Sequence, residues 1–393
     1  MNIGIVVDYY QKSGGGENFV NSELKTLKIL QERLKDKINF YYIVTNKDSL
    51  KNLNKRNYNT LYFNKNNLLN RLSLFLNLID NIRKLVFKLK LNSFDNFLKK
   101  KKINFLIFVT PSKLIYYCRG INFISTLWEL QHKTHPHLEE YKNIYFDLKE
   151  RDNMAKFISL YSFAIFVGTR KSAEDFSKFY ACDKSRIVEK YTESIIVKTA
   201  KKLEIKKTDE KRNDYIFYPA QFWSHKNHLF VVDAFVEIKK QNIDLKCIFT
   251  GSDKGHLKKI KQQIYEKKLS NYFIFYDYLS DEEIIKLYMN CKAVIIPTIV
   301  GTYTFPHVEA FYFKKLVFGS TENLDFEFKN RVIEIDLKNP KNFINVYKKY
   351  FKKNENTEKV IKSNKVFYDE NFSDNMNVEI YKTLINNYMA EIK

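Results

Sequence analysis

Short apolar runs alternate with longer amphipathic stretches along almost the whole chain, and this alternation constrains the fold more than any other feature. Strands are predicted in the first half at five runs: Ile3–Val7, Phe40–Val44, Phe105–Val109, Ile121–Ser125 and Phe163–Val167. The second half has five more: Tyr215–Tyr218, Lys246–Thr250, Phe273–Tyr276, Ala293–Pro297 and Leu316–Gly319. Strands that alternate with helices form parallel sheets with crossover helices. The predicted fold class is therefore α/β, with two doubly wound, Rossmann-like domains.

A charged stretch, Lys201–Asp214, separates the two series and is interpreted as the interdomain linker. The chain has 393 residues, enough for two domains of ordinary size. We predict a first domain at 1–205, a second at 206–375, and a C-terminal helix at 376–393 that packs back toward the first domain. Ligands of doubly wound sheets bind beyond the carboxyl ends of the strands, so the central cleft between the domains is the expected site.

The chain is strongly basic, with 67 Lys and Arg against 45 Asp and Glu and a formal net charge of +22. Only ten of the basic residues are Arg, and Lys, Asn, Ile, Tyr and Phe are abundant. This profile is typical of a genome rich in A and T, so coding bias explains part of the charge. Nucleic-acid readers favour Arg, whose planar group matches phosphate and guanine edges. We therefore expect no nucleic-acid partner, while an anionic membrane surface stays a candidate partner.

Composition also argues against several other classes of protein. A hydrophobic fraction of 45% with 16% aromatics is too high for an intrinsically disordered chain. No apolar run reaches the roughly 18–20 residues of a membrane span, and the start, MNIGIVVDYY, lacks the basic region of a signal peptide. The four cysteines are far apart with no C-x-x-C spacing, which favours neither disulfides nor a zinc site. A cytoplasmic location is the resulting expectation.

One segment has a long apolar face with basic residues beside it. From Leu68 to Leu89 the apolar residues recur at helical spacing, and Lys99–Lys102 follow. One interpretation is an ordinary helix whose apolar face lies in the core. The other is a basic amphipathic surface that lies against anionic lipid. The sequence leaves both interpretations open.

The stretch YIFYPAQFWSHKNHLFVVDAF runs from a strand through a polar turn into a helix that is predicted to start near Asn227. Lys226 therefore lies at a strand-to-helix turn that faces the cleft, where a cation and a helix N-terminus together bind phosphate. An ordinary exposed lysine is the alternative. His225 and His228 have H-x-x-H spacing, but no third ligand is nearby, so no metal site is predicted.

A second cluster has the sequence PTIVGTYTFPHVEAF. A strand runs into a turn with Gly301, Thr302 and Thr304, and a helix is predicted to begin around Pro306. Backbone N–H groups and two hydroxyls at that helix start form a cradle for phosphate. Glu309 lies about one turn inside the helix, where its carboxylate can accept hydrogen bonds from a vicinal diol. The alternative is a carboxylate that only interacts favourably with the helix dipole.

Together these two stretches resemble the retaining, nucleotide-sugar-dependent glycosyltransferases of family 4, which have the two-domain GT-B fold. Lys226 matches the lysine of the family's second-domain motif, and Glu309 matches the glutamate that binds the nucleotide ribose. The resemblance implies that the donor diphosphate is bound by Lys226, Gly301, Thr302 and Thr304. It also implies that Lys226 is catalytic, because it stabilises the departing diphosphate.

The chain resembles one branch of this family more closely. Gln221 and Gly301 stand where the family usually has Arg and Glu. Residues 217–228 and 301–310 are similar to F-Y-P-A-Q-F-W-P-H-K-N-H and G-P-T-N-x-P-P-x-E-A, motifs of a branch often described as mannosyltransferases. Within that branch the glutamine and the glycine are the usual residues.

Two further matches lie in the predicted first domain. The sequence SGGGE follows the first strand, as the family's glycine-rich loop does, which implies that Gly15, Gly16 and Glu17 lie close to donor and acceptor. The segment Trp128–Glu140 is similar to the branch's D-L-Q-H-x-x-x-P-E. This match implies that His132 is a catalytic residue beside the donor sugar. A structural histidine is the alternative.

Shorter matches concern the nucleotide base. Gly251, after a predicted strand, matches a glycine of the family's nucleotide loop. Tyr278 and Leu279 lie where the family holds the base, although Asp277 replaces a usual glycine. The resemblance therefore implies that these residues form the base pocket.

The resemblance implies transfer of a hexose from a nucleoside diphosphate sugar, GDP-mannose or a UDP-sugar, to a glycan or lipid-linked glycan acceptor. It further implies retention of configuration, cell-surface polysaccharide biosynthesis (lipopolysaccharide or capsule), and a peripheral place at the inner face of the cytoplasmic membrane. The nucleotide-sugar is a substrate, and no metal or other cofactor is expected because the chain has no D-x-D triplet. A non-catalytic GT-B-like protein that binds a nucleotide or another anionic ligand is the alternative.

Overall fold

The computed structural model describes residues 1–8, 15–78, 85, 88–89, 91–118, 120–141, 145–203, 214–351 and 355–392. Within them, the strands of the first half are β1 (Asn2–Val7), β2 (Asn39–Val44), β3 (Thr60–Tyr62), β4 (Phe105–Phe108), β5 (Asn122–Thr126), β6 (Ala164–Val167) and β7 (Ile187–Glu189). Those of the second half are β8 (Tyr215–Pro219), β9 (Lys246–Thr250), β10 (Phe273–Tyr276), β11 (Ala293–Ile296), β12 (Leu316–Gly319) and β13 (Ile333–Glu334).

Helices connect these strands. The first half contains α1 (Gly15–Leu34), α2 (Lys47–Lys55), α3 (Leu68–Leu78), α4 (Ser93–Lys100), α5 (Gln131–Thr134), α6 (Tyr145–Tyr161), α7 (Arg170–Tyr180) and α8 (Ile195–Leu203). The second half contains α9 (His228–Lys240), α10 (Leu257–Glu266), α11 (Asp281–Asn290), α12 (Phe305–Tyr312), α13 (Phe326–Lys329), α14 (Phe343–Phe351), α15 (Glu355–Asn371) and α16 (Asp374–Glu391).

The strands form two sheets in which neighbouring strands are parallel. The first has the order β3-β2-β1-β4-β5-β6-β7 and the second the order β10-β9-β8-β11-β12-β13. In each sheet the first strand lies at the centre, and the chain moves outward on one side before it returns to the other. Loops beyond the carboxyl ends of the strands separate at this point, which makes it the usual ligand site of such sheets.

The central strands are apolar because helices cover both faces of each sheet. Every residue of β4, FLIF, and of β11, AVII, is buried. The second sheet lies within one large apolar cluster, and the first sheet has a cluster on each face. The fold is therefore α/β with two doubly wound domains, as the alternation predicts.

The last helix crosses back to the first domain. In α16, Val378, Tyr381 and Ile385 are buried in the apolar cluster of the first sheet. The hydroxyl of Tyr388 donates to the carbonyl oxygen of Asn104 at 2.9 Å, just before β4. The chain therefore passes between the domains twice, once after β7 and again between α15 and α16.

The strand predictions agree with the structure to within one residue at each end. Three short strands were not predicted: β3, β7 and β13 have only two or three residues each. A run this short carries too little alternation to be distinguished from a loop. The predicted linker begins inside α8, which continues to Leu203, and the predicted boundary at 205 and 206 lies outside the described residues.

The amphipathic segment does not have its apolar face in the core. Leu68, Leu69, Leu72 and Phe75 of α3 are 79%, 73%, 55% and 60% exposed, and Leu89 is also exposed. The interpretation as an ordinary core-facing helix is therefore wrong for these residues; positions 79, 82 and 86 lie outside the described residues. Among the helices that the structure describes, none is both long and apolar enough to cross a membrane.

Candidate active site

The carboxyl ends of the two sheets face each other across a cavity of about 1330 Å³. Residues from both domains line it, and they come mainly from the loops that follow β1, β5 and β6 and the loops that follow β8, β9, β10 and β11. The cavity is large enough for a ligand of nucleotide-sugar size, since drug-sized ligands occupy sites of about 300–1,000 Å³.

Lys226 lines this cavity from the turn between β8 and α9. It ends a short 3₁₀ helix, Ser224–Lys226, and the next residue, Asn227, adopts a left-handed conformation with φ of 55° before α9 begins. Burial lowers the pKa of Lys226 to about 8, while the negative charge of Glu140 acts in the opposite direction. The group is therefore a cation near neutral pH that has lost much of its hydration, which strengthens its attraction for an anion.

The N-terminus of α12 opens into the same cavity. Thr304 caps the helix, and the ring nitrogen Nδ1 of His307 lies 2.9 Å from the Thr304 hydroxyl oxygen and accepts from the Thr304 N–H at 3.2 Å. Thr302, Thr304 and Pro306 line the cavity. Since the first N–H groups of a helix have no partner within it, this end attracts anions.

Gly301 has a structural place in this turn. Its φ is +118°, a conformation that favours glycine, and it is not among the residues that line the cavity. The structure therefore places it beside the predicted diphosphate site, where it shapes the backbone that leads to α12.

Glu309 is buried at the cavity wall, one turn into α12. Its carboxylate accepts from the hydroxyl of Ser194 and, at 2.5 Å, from the hydroxyl of Tyr288. Burial raises the pKa of Glu309, and these two hydrogen bonds oppose the rise. Each carboxylate oxygen can accept more than one hydrogen bond, so capacity for a ligand hydroxyl is left.

The residues of the predicted base pocket belong to the same cavity as Lys226. Gly251, Tyr278 and Leu279 all line the cavity. Gly251 has φ of +151°, and a Cβ there would come within 2.6 Å of the Ala220 carbonyl oxygen, so only glycine allows the two loops to approach. The side chain of Gln221 donates to the Ser252 hydroxyl at 2.9 Å, which ties these loops together.

The described residues of the glycine-rich sequence, Gly15 to Glu17, belong to the first-domain side of the cavity. Gly15 and Gly16 begin α1 and line the cavity together with Glu17, while residues 9–14 lie outside the described part of the chain. Burial raises the pKa of Glu17, and the nearby negative charge of Asp281 in the second domain adds to the rise. The loop therefore brings a helix N-terminus and a carboxyl group to the cleft.

His132 lies elsewhere. It is buried in α5, its Nε2 is 3.4 Å from the hydroxyl of Tyr180, and it is not among the residues that line the cavity. Burial lowers its pKa to about 4, with a further contribution from Arg151 and Lys133, so the ring is neutral near pH 7. In this structure the ring contacts Tyr180 and does not line the cavity, so the structure does not show the expected sugar contact.

The two histidines of the H-x-x-H pair make different contacts. Nδ1 of His225 is 2.9 Å from the carboxylate of Glu140, whereas His228 is buried among the rings of Tyr218, Phe222 and Phe249. Across the described ranges, no group of three or more His, Cys, Asp or Glu residues has the geometry to hold a metal ion.

Three residues near the site were missed by sequence reasoning. Ser194 and Tyr288 orient Glu309, and Glu140 contacts the turn of Lys226 from the other domain. Each reaches its partner from a distant part of the chain, so no local pattern in the sequence signals the contact.

Comparison with known proteins is consistent with this architecture. Residues 200–365 match the family model described as "Glycosyl transferases group 1". This segment contains both Lys226 and α12. A search of curated protein sequences finds no significant match.

Several solved structures are similar over nearly the whole chain. HepE of Anabaena, in complex with UDP and glucose, has a TM-score of 0.67 and 14% identity, covering 98% of this chain and 100% of its own. Sucrose-phosphate synthase of Thermosynechococcus elongatus has a TM-score of 0.69 and 11% identity, covering 99% of both chains. WaaG, a glycosyltransferase involved in lipopolysaccharide biosynthesis, has a TM-score of 0.56 and 11% identity, covering 93% of this chain and 95% of its own. The GT-B fold is thereby confirmed.

Proposed function

We propose that this protein is a retaining glycosyltransferase of the family 4 type, which moves a hexose from a nucleoside diphosphate sugar to a glycan or lipid-linked glycan. The observation that carries the proposal is the convergence of Lys226 and the N-terminus of α12 on one cavity between two GT-B domains. The match of residues 200–365 to group 1 glycosyltransferases supports it. The complex of the similarly folded HepE with UDP and glucose supports a nucleotide-sugar donor.

The first part of the mechanism concerns the leaving group. Cleavage of the anomeric bond builds negative charge on the departing diphosphate. The Lys226 ammonium and the N–H groups at the start of α12 stabilise that charge, with the hydroxyls of Thr302 and Thr304 beside them. These groups are held in place before the reaction, so little reorganisation is needed as the charge develops.

The ribose and the base of the nucleotide are bound by residues other than those that bind the diphosphate. Glu309, oriented by Ser194 and Tyr288, accepts hydrogen bonds from the ribose hydroxyls. The loops of Gly251 and Tyr278 provide the surface for the base. The donor sugar is proposed to lie toward the first domain, where Gly15 and Gly16 of α1 line the same cavity.

Retention is proposed to follow front-face departure. The acceptor oxygen attacks the anomeric carbon from the side that the diphosphate leaves, and its proton passes to a leaving phosphate oxygen. The bond from carbon to the diphosphate oxygen breaks as the bond to the acceptor oxygen forms. No pair of carboxylates is assigned as acid and nucleophile, the arrangement that glycosidases use for retention.

We propose further that the acceptor is presented at the inner face of the cytoplasmic membrane, in the synthesis of a polysaccharide such as lipopolysaccharide or capsule. The exposed apolar side chains of α3 and the exposed Lys99–Lys102 suit a surface that combines acyl chains with anionic headgroups. The formal net charge of +22 adds attraction to such a surface. The similarity in fold to WaaG supports this setting.

The activity is tested first with a thermal-shift panel of UDP, GDP, ADP and CMP and their sugars. A nucleotide that binds the folded state raises the melting temperature as its concentration exceeds Kd. Release of nucleoside diphosphate from the matching sugar donor, with a glycan or lipid-linked acceptor, then measures transfer. Stabilisation by a nucleotide with no release from any donor and acceptor would instead support a non-catalytic binding protein.

The membrane proposal is tested by sedimentation with vesicles of phosphatidylglycerol and, separately, phosphatidylcholine. The double variant Leu72→Glu with Phe75→Glu is expected to lose binding to the anionic vesicles. Leu160→Glu is the matched control, because Leu160 is 67% exposed on α6 of the same domain. Equal binding by all three proteins, or no binding at low salt, would contradict the proposal.

A further inference from the structure

A carboxylate of the first domain holds the turn that carries Lys226. Glu140 lies in a single 3₁₀ turn, Glu139–Tyr141, and its Oε1 accepts three hydrogen bonds from the second domain. The hydroxyl of Ser224 donates at 2.8 Å, the backbone N–H of His225 at 3.0 Å, and Nδ1 of His225 at 2.9 Å. The first domain therefore touches the 3₁₀ helix Ser224–Lys226 directly.

The same turn is also fixed from within its own domain. The hydroxyl of Tyr218 donates to the carbonyl oxygen of Lys226 at 2.8 Å, and the N–H of Ile299 donates to the carbonyl oxygen of His225 at 2.9 Å. These bonds hold the carbonyl side of the turn, whereas Glu140 holds its N–H and hydroxyl groups. The position of the Lys226 backbone thus depends on both domains.

We propose that Glu140 is a positioning residue for the transfer reaction, which holds the Ser224–Lys226 turn against the first domain and so sets the place of the Lys226 ammonium in the cleft. The proposal rests on the proposed function, in which that ammonium binds the donor diphosphate. Glu140 does not line the cavity, so it acts through the turn rather than on the substrate.

The hydrogen bonds explain why this contact is strong. The side chains of Glu140 and His225 are only 14% and 15% exposed. Burial alone would raise the pKa of Glu140, but the hydrogen bonds from His225 and Ser224 outweigh it and lower the pKa to about 2. Hydrogen bonds to an ionised carboxylate are about twice as strong as neutral ones, and removal of the acceptor leaves buried donors unpaired.

The charge of Glu140 also acts on Lys226. Within the described residues, the titratable groups that face Lys226 are Glu140, His225, His228 and His307. Burial, with a smaller contribution from the charge of Lys226, lowers the pKa values of the three histidines to about 4, 3 and 3, so the rings are neutral near pH 7. Glu140 is then the charged group that favours the protonated form of Lys226, and its loss lowers the Lys226 pKa further.

The test compares Glu140→Ala, Glu140→Gln and Glu139→Ala in the full chain. Glu139 is the matched control because it is the neighbouring carboxylate, is exposed, and pairs with His256 at 3.0 Å, away from the turn. For each variant, kcat, KM for the donor and the pH dependence of kcat/KM are measured. We expect Glu140→Ala to lower kcat by about 10- to 100-fold, since a misplacement of about 1 Å can cost that much.

Comparison of the two Glu140 variants separates the effect of the turn's position on kcat from the effect of the Glu140 charge on the pKa of Lys226. Glutamine keeps an acceptor oxygen for the turn, so Glu140→Gln is expected to recover much of kcat. It lacks the negative charge, so the fall of kcat/KM at high pH is expected to begin at lower pH in both variants. Glu139→Ala is expected to stay within about twofold of the wild type in kcat and to keep its pH profile.

A measurement without substrate provides the second readout. Competitive labelling of amines at a series of pH values, followed by mass spectrometry, gives the midpoint at which Lys226 becomes reactive. Glu140→Gln is expected to lower this midpoint, and Glu139→Ala to leave it unchanged. An unchanged midpoint in Glu140→Gln overturns the inference, even where Glu140→Ala fails to fold.

The outcomes distinguish this inference from the function on which it rests. Wild-type turnover in Glu140→Ala, together with loss of turnover in Lys226→Ala, overturns the inference alone. Wild-type turnover in Lys226→Ala overturns the assignment of the diphosphate site itself.

Discussion

The two domains differ in how their candidate residues reach the cleft. In the second domain, Lys226 comes from the turn before α9, Thr304 and Glu309 come from the start of α12, and all three line one cavity. In the first domain, the start of α1 reaches the cavity, but His132 packs against Tyr180 inside the domain. In the second domain, the backbone of two strand-to-helix turns therefore fixes where the candidate groups lie. In the first domain, the role of the candidate histidine depends on the direction of one side chain.

The cause does not lie in the distance from a strand end, because His132 follows β5 as closely as Lys226 follows β8. It lies in the element that comes next along the chain. Lys226 and Thr304 follow β8 and β11, two neighbouring strands at the centre of the second sheet, and each lies just before the helix that comes next, α9 or α12. Their positions are fixed by the strand end before them and the helix start after them. His132 lies in α5, a helix of four residues within the long connection from β5 to α6, so it does not lie at the start of a long helix that packs on the sheet.

The largest expected effect on turnover comes from removal of the Lys226 side chain. A large fall in kcat would show that the second domain carries the chemistry. Lys226→Ala is expected to lower kcat by about 10²–10³-fold, the usual loss when one preorganised group that stabilises developing charge is removed. The measurement is release of nucleoside diphosphate from the donor. Lys258→Ala, an exposed lysine on α10, is the control and should match the wild type. If Lys226→Ala is as active as Lys258→Ala, the second domain does not carry the chemistry and the contrast between the domains is wrong.

The next effect is at Glu309, which we assign to the ribose. Glu309→Gln keeps the volume of the side chain but removes its charge, so we expect nucleotide binding to weaken about 10-fold or more, since a hydrogen bond to a charged group contributes about 1.5–3 kcal/mol. Calorimetric Kd values for the nucleotide and its 2′-deoxy analogue measure this. If the variant still prefers the ribose form as strongly as the wild type does, the assignment is incorrect.

A smaller effect is expected from pH. The pKa of Lys226 is lowered to about 8, so the ammonium that binds the diphosphate is lost as pH rises through 8. We expect kcat/KM, which reports the free enzyme, to be highest below that pH and then to fall by up to about tenfold per pH unit. Lys226→Arg tests the cause, because the guanidinium stays protonated and should keep a flat profile in this range. A wild-type profile that is flat to pH 10 would contradict the role of the ammonium.

The smallest effect on turnover is expected at His132. Because the ring contacts Tyr180 rather than the cavity, His132→Ala should change kcat by less than about threefold. It should lower the free energy of unfolding by about 1–3 kcal/mol, through a lost buried contact. Urea denaturation and steady-state kinetics measure the two quantities, with Tyr180→Phe as the comparison. A 100-fold fall in kcat with unchanged stability would instead support a sugar contact by His132. Both domains would then contribute a side chain to the reaction.

Much of the fold could be predicted from the sequence because parallel strands between helices are apolar on both faces. The runs at Lys246–Thr250, Phe273–Tyr276 and Leu316–Gly319 have the bounds that the pattern predicts. The edge strand β3 could not be found because its three residues are only half-buried. The periodicity of α3 predicts that the segment is helical, but it contains no information on whether another element covers the apolar face.

Some residues of the candidate site could likewise be predicted from the sequence, and others could not. Lys226 and Glu309 could be predicted because a strand-to-helix turn has a recognisable sequence, although their roles stay predictions. Glu140 could not, because it meets Ser224 and His225 across 84 and 85 residues of chain. Ser194 reaches Glu309 across 115 residues. Contacts of this kind depend on how the two domains dock, which no local pattern encodes.

The return of α16 to the first domain has a consequence for synthesis. The first sheet leaves the ribosome early, but its apolar cluster includes Val378, Tyr381 and Ile385. Those residues follow the second domain along the chain, so the first domain has an uncovered apolar surface until the second domain has been translated. Loss of α16 would therefore damage the first domain, and a chaperone that shields this surface during translation would increase the yield of folded protein.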